Sequence, residues 1–336
     1  MEKARFKWVL RERNRKIAAK TEAFTEQQAR RVRSFHSSFK EYSPTPLIEL
    51  TSLAQHLGIK NLFVKDESYR FGLNAFKVLG GSFAIGSYIA NELGEDIDDL
   101  PYMRLVSDEV RSLLGSKTFI TTTDGNHGRG VAWTANRLKQ QAIVYMPQGS
   151  AAERLANIRA EGAQAEITDM NYDDTVRYTS ELAQKNGWII VQDTAWDGYT
   201  RIPLWIMQGY MTMALEAYEQ LPVKPTHIFL QAGVGSLAGS VQGFFADIYG
   251  SSCPLTFIVE PKGADCLYQT AAANDGSLHS VTGRLETIMA GLACGEPNSI
   301  AWEIIGNLSD GFISCPDYTA AQGMRILGNP LAGDTK

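Results

Sequence analysis

Three observations predict a parallel-sheet α/β fold in two lobes. Helical and strand periodicities alternate from residue 74 onward, the chain runs to 336 residues, and a Pro-rich break at 221–225 separates two series of such units. Strands that alternate with helices need crossover connections, and these favour parallel pairing. The length suits two domains and lets the chain bury most of its surface without cross-links.

Apolar residues make up 44% and charged residues 21%, the usage of an ordinary folded protein. Thirty-two Lys and Arg against 37 Asp and Glu leave a net charge of -5. That balance argues against nucleic acid or membrane as the main partner, because both call for a basic face. Small solutes are the expected ligands. Residues 1–20 are too charged for a secretory signal and no run of apolar residues is long enough to span a bilayer, so a cytoplasmic location is expected. Four cysteines without a CxxC pair and five histidines without HxxxH spacing give no support to a metal site.

The first 40 residues mix Lys and Arg in helical fashion, and 25–42 reads as a helix with Val32, Phe35 and Phe39 facing inward. Pro44 and Pro46 break it and set an extended segment, followed by a short helix at 52–57 and a strand at 61–65. The regular series then runs helix 75–92, strand 118–122, helix 127–139, strand 142–146, helix 150–161 and strand 165–168. Asn171 is a good cap for a helix to residue 186, before a strand at 188–192 and a long amphipathic helix at 202–221. After the break, strands at 227–230, 255–259 and 312–314 alternate with helices near 236–248, 266–274 and 301–307.

Doubly wound sheets bind ligands beyond the carboxyl ends of their strands, which directs attention to three loops. The run Gln231-Ala232-Gly233-Val234-Gly235-Ser236 joins a strand to a helix. Its glycines admit close backbone approach and the helix start offers free amides, so a phosphate fits. A dinucleotide would need GxGxxG, and Gly233, Gly235 and Gly239 miss the third spacing by one; a plain packing turn also fits the residues. The run Thr123-Asp124-Gly125-Asn126-His127-Gly128 also joins strand to helix, and offers more polar groups than a helix cap needs. The third, Asn74-Ala75-Phe76-Lys77-Val78-Leu79, sets one lysine among apolar neighbours at a helix start. A lysine there is either an ordinary surface group or, if buried, one whose pKa falls far enough for it to react as an amine.

In this order, the Pro44-Thr45-Pro46-Leu47 segment, Lys77, the Gly125-Asn126-His127-Gly128 loop and the Gly233–Ser236 cup resemble the fold type II pyridoxal-phosphate enzymes, the tryptophan synthase β family. The resemblance narrows toward the diaminopropionate ammonia-lyases on Asp124 within TDGNHGRG, on DMNYDD at 169–174, on VQDTAW at 191–196 and on MAGLACGEP at 289–297. It covers the chain from about residue 30 to its last residue.

What the resemblance implies is an α,β-elimination on 2,3-diaminopropionate of either hand, yielding pyruvate and ammonia. Pyridoxal 5'-phosphate would be held by Lys77, Asn126 and the backbone of Gly233, Val234, Gly235 and Ser236. Lys77 would act as base on the L isomer and Asp124 on the D isomer, with Asp193 as a further catalytic carboxylate. Cys266 and Cys294 match a pair that can be disulfide-linked in the family. The fold implied is two open parallel-sheet three-layer lobes. Residues 1–90 and 222–336 would form a large cofactor-binding domain and 91–221 a small substrate-side domain, in a homodimer.

The family's sequences continue beyond the segment 323–330 with a serine- and glycine-rich motif, a helix and a strand, whereas this sequence stops at Lys336. The large domain is therefore expected to be incomplete at its C-terminal side. A related serine or threonine dehydratase and a non-catalytic cofactor-binding variant are the alternative readings.

Overall fold

A computed structural model describes residues 5–12, 21–123 and 125–334. The first part of the chain gives β1 (Lys7–Leu10), α1 (Glu26–Ser37), β2 (Leu47–Glu49), α2 (Thr51–Leu57), β3 (Phe63–Lys65) and α3 (Lys77–Leu93). Then come α4 (Tyr102–Leu105), α5 (Asp108–Leu114), β4 (Thr118–Thr122), α6 (Asn126–Arg137), β5 (Gln141–Met146), α7 (Ala152–Ala160), β6 (Gln164–Ile167), α8 (Tyr172–Asn186) and β7 (Ile189–Ile190). The remainder is α9 (Arg201–Gln220), β8 (His227–Gln231), α10 (Ser236–Tyr249), β9 (Leu255–Pro261), α11 (Cys266–Ala273), α12 (Ser299–Leu308), β10 (Gly311–Cys315) and α13 (Asp317–Gly328).

Two separate sheets carry the fold. One has the order β6-β5-β4-β7 and is parallel throughout, with Thr121 opposite Val144 and Ile120 opposite Ile190. The other has the order β1-β10-β9-β8; its last three strands are parallel and β1 adds an antiparallel edge. A small antiparallel pair, β2 with β3, carries the segment that follows the two prolines.

Several elements differ from the sequence expectation. Residues 7–10 form a strand within a stretch whose Lys and Arg content reads as helical, because the ladder to β10 decides the matter and leaves Trp8 and Leu10 exposed. The strand expected at 188–192 is only two residues long. The Tyr199 hydroxyl ends it: it donates to the Ile190 carbonyl at 2.9 Å and accepts the Gln192 N–H at 2.9 Å, replacing the ladder with a side chain. Helices α4, α5 and α13 stand where the sequence pattern was silent.

The helix that begins at Lys77 is held centrally. Along α3, Val78, Leu79, Phe83, Ile85 and Ile89 are all buried, and α1, α6 and α9 pack around it. Glycines set these approaches. A Cβ on Gly209 of α9 would lie 2.3 Å from the Leu79 carbonyl oxygen, and one on Gly130 of α6 would lie 2.8 Å from the Val78 Cα. His36 of α1, fully buried, bonds the Leu79 carbonyl at 3.0 Å and Thr212 of α9 at 2.7 Å. Burial and the charge of Arg70 bring its pKa down to about 3, so it is a neutral polar pin.

A buried ion cluster ties the segment before α3 to α9. Arg70, wholly buried, donates to both oxygens of Glu216 at 2.8 and 2.7 Å and to both oxygens of Glu67 at 2.8 Å. Lys65 donates to Glu216 at 2.8 Å, and Tyr42 and the Thr45 N–H add bonds at 2.9 and 3.1 Å. The bend between the two prolines, β3 and α9 are thereby joined through charge-assisted bonds with both carboxylate oxygens of Glu216 in use.

Candidate active site

Lys77 is the first residue of α3, and its Nζ donates to Asp193 Oδ2 at 2.6 Å. Asp193 lies just past the end of β7, on the carboxyl side of the parallel sheet, where the fold rule expects a ligand. The lysine side chain is 22% exposed and the carboxylate 7%. Burial alone lowers the pKa of Lys77, but the adjoining carboxylate outweighs it and the pKa is raised above the ordinary lysine range. This corrects the expectation from its apolar neighbours, which took no account of Asp193. Burial pushes Asp193 up, yet the charge of Lys77, assisted by His127, holds it at about 2.

Asp193 is itself fixed from behind. Its carbonyl accepts the Ser236 hydroxyl at 2.5 Å and Asn298 Nδ2 at 3.1 Å. Asn298 also donates to Ser236 Oγ at 2.8 Å, while its own oxygen accepts the Ile300 and Ala301 N–H groups as cap of α12. One buried amide therefore ties the carboxylate loop, the glycine loop and a helix start together. Sequence reasoning missed it; an Asn directly before an apolar helical run was the available signal.

The glycine loop opens α10, a helix of 14 residues with no side-chain cap, so its first-turn amides are left for a ligand. Gly235 has φ +100, a conformation that favours glycine, and a Cβ on Gly233 would come within 3.2 Å of both the Leu292 Cα and Cys294 Sγ. An amine beside a carboxylate, facing an uncapped helix start behind glycines, is a donor set that fits a phosphorylated aldehyde: Lys77 for the carbonyl and the amides of 233–236 for the phosphate. Val234 and Ser236 are buried.

Lys77 and Asp193 line a small cavity with Thr122, Thr123, His127 and Tyr172. A larger cleft of about 250 Å³ shares Tyr172 and Cys294 with it and is bordered by Asp173, Trp196, Val234 and Glu296. Asn126, the first residue of α6, is exposed; it is His127, bonded to the Val191 carbonyl at 2.7 Å, that this loop contributes to the cavity. Asp124 lies outside the described residues. Cys266 and Cys294 are not joined in this structure, so the disulfide implied by the resemblance is not formed here. They flank Gly233, whose carbonyl lies 3.8 Å from Cys266 Sγ. The sequence reading assigned no individual site role to His127, Tyr172 or Asn298.

Comparison with known proteins follows the same lines. The family described as pyridoxal-phosphate dependent enzyme matches residues 39–330. A diaminopropionate ammonia-lyase of Salmonella typhimurium is 53% identical over 306 residues, covering 90% of this chain and 76% of that protein. Among solved structures, the holo diaminopropionate ammonia lyase of Escherichia coli superposes with a TM-score of 0.91 at 49% identity, over 99% of this chain and 82% of the other. The same enzyme in complex with an aminoacrylate-PLP azomethine reaction intermediate gives a TM-score of 0.88 at 49% identity, over 99% and 82% of the two chains.

Proposed function

Because the chain belongs to the pyridoxal-phosphate dependent enzyme family, within its diaminopropionate ammonia-lyase branch, we propose that it eliminates ammonia from 2,3-diaminopropionate. With one water the products are pyruvate and two ammonia molecules. The observation that carries this reading is the Lys77–Asp193 pair at 2.6 Å beneath the uncapped start of α10.

Bound pyridoxal phosphate supplies an electrophilic ring that accepts the electrons released when the Cα proton leaves. Lys77 carries the amine that holds the cofactor's carbonyl carbon and then takes the Cα proton of the L isomer. The amides of Gly233, Val234, Gly235 and Ser236 hold the phosphate without a cationic side chain. Asp193 stays ionised and steadies whichever ammonium stands opposite it, first that of Lys77 and then an amino group of the substrate. Asp124 is assigned to the Cα proton of the D isomer, on the family resemblance. Asn126 is assigned to the ring oxygen on the same ground.

In this reading residues 1–90 with 222–336 form the cofactor-binding domain and 91–221 the substrate-side domain. Its support is that one sheet draws only on residues 118–190 and the other only on 7–10 and 227–315. We extend the proposal to a homodimer on the family resemblance and to a cytoplasmic location on the charged first segment of the sequence; among the described residues no helix is long and apolar enough to cross a membrane.

The test is product stoichiometry. Diaminopropionate of either hand should yield one pyruvate and two ammonia per turnover, both amino groups being lost, with slower release of pyruvate from serine. Faster pyruvate release from serine, or 2-oxobutanoate from threonine at a higher rate than pyruvate from diaminopropionate, would instead make the chain a dehydratase.

A further inference from the structure

Tyr210 of α9 is fully buried, and its hydroxyl has no hydrogen-bond partner among the described residues. The ring is tightly placed. It meets Phe76, the residue before Lys77, edge to face at 5.2 Å, and a Cβ on Gly80 would stand 2.7 Å from its Cε1. Tyr210 therefore packs on the first turn of α3, spanning the residues on either side of Lys77. Phenylalanine would fill the same space without stranding a polar atom, so packing explains the ring and leaves the hydroxyl unexplained.

The hydroxyl lies within electrostatic reach of both Lys77 and Asp193. Burial raises its pKa, so it is a neutral O–H at physiological pH. The titratable groups that line the cavity with the Lys77 amine are Asp193 after β7, His127 on α6, Tyr172 on α8 and Cys294 in the loop before α12, while Tyr210 packs against the first turn that carries the lysine. The carboxylate favours the charged ammonium, whereas a hydroxyl serves either state: it donates to the lone pair of a neutral amine and accepts from an N–H. An amine that is to react with a carbonyl carbon or take a proton must first be neutral.

We propose that the Tyr210 hydroxyl is a second station for the Lys77 amine, which leaves Asp193 by rotation of its side chain and is held there as the neutral base. The proposal rests on the reading of Lys77 as the cofactor-holding lysine. Tyr210 acts on the substrate only through Lys77, which makes it a positioning residue.

The experiment compares the parent chain with Tyr210→Phe, stripped of cofactor and then given pyridoxal phosphate, following the visible absorbance of cofactor capture as a function of pH. Tyr210→Phe should capture about tenfold more slowly near neutrality, with its rate curve displaced by about one unit toward alkaline pH, the size expected from one lost hydrogen bond. Its melting temperature should be unchanged or higher, since no satisfied bond is removed. Phe76→Leu serves as the packing control; it should melt lower and keep the parent's capture curve. Superimposable curves for Tyr210→Phe and the parent would overturn the proposal, and so would an equal displacement in Phe76→Leu. A displaced curve in a chain that makes no pyruvate from diaminopropionate would uphold Tyr210 and sink the lyase reading alone.

Discussion

Lys77 and Asp193 show how far a residue can be read from its neighbours in sequence. Phe76, Val78 and Leu79 correctly suggest a sheltered amine, but Asp193 sits 116 positions away and reverses the direction of the pKa. The glycine turn at Gly235 and Ser236 was readable because it depends on local backbone at a strand-to-helix junction. Tyr210 and Asn298 were not readable: one looks like any aromatic in an apolar helix and the other like any cap, and only the packing of distant elements gives them a site to serve. Asp124 is where the two substrate hands should separate. Asp124→Asn is expected to lower turnover of the D isomer at least ~100-fold, the usual scale for loss of a general base, while the L isomer loses far less. Kinetics on the two pure isomers decide this; equal losses would remove Asp124 from its role.

At the scale of elements, the regular helix and strand alternation after residue 74 was visible because each unit has its own period, and the helices α3, α6, α8, α9 and α10 occur where that period places them. Residues 7–10 and the shortened β7 escaped, since a ladder and a tyrosine hydroxyl from another segment set their limits. The Arg70–Glu216 cluster likewise joins segments that no local pattern connects. Burial pushes the Glu216 carboxyl up, but Arg70 and Lys65 bring it from 4.5 down to about 2. A carboxyl depressed on folding adds stability that is complete above its unfolded pKa and is lost as pH falls through the folded one. The chain should therefore lose stability between about pH 4.5 and 2. Glu216→Gln should be about 3 kcal/mol less stable near neutrality, because Arg70 loses a buried charge partner, and should fall less steeply over that acid window. Denaturant melts across pH measure both; parallel acid slopes in the two chains would show that the cluster does not govern acid unfolding.

For the molecule as a whole, the fold packs α3 against α1, α6 and α9, so that residues at the carboxyl ends of β4 and β7 meet at one lysine, and Ser236 of the glycine loop after β8 bonds the Asp193 carbonyl beside it. The two-sheet α/β architecture was foreseen from alternation and length, and the superposition at a TM-score of 0.91 agrees with it. The chain spans 76% of the length of the Salmonella relative, while Lys77, Asp193, the glycine loop and Asn298 all lie within the residues described. The most direct measurement is pyruvate release from diaminopropionate, read beside the visible absorbance of bound cofactor, in the parent chain and in Lys77→Ala. The parent should show the absorbance and release pyruvate, and Lys77→Ala should lose both while remaining folded. A Lys77→Ala chain that keeps the band and the turnover would contradict the account at its centre.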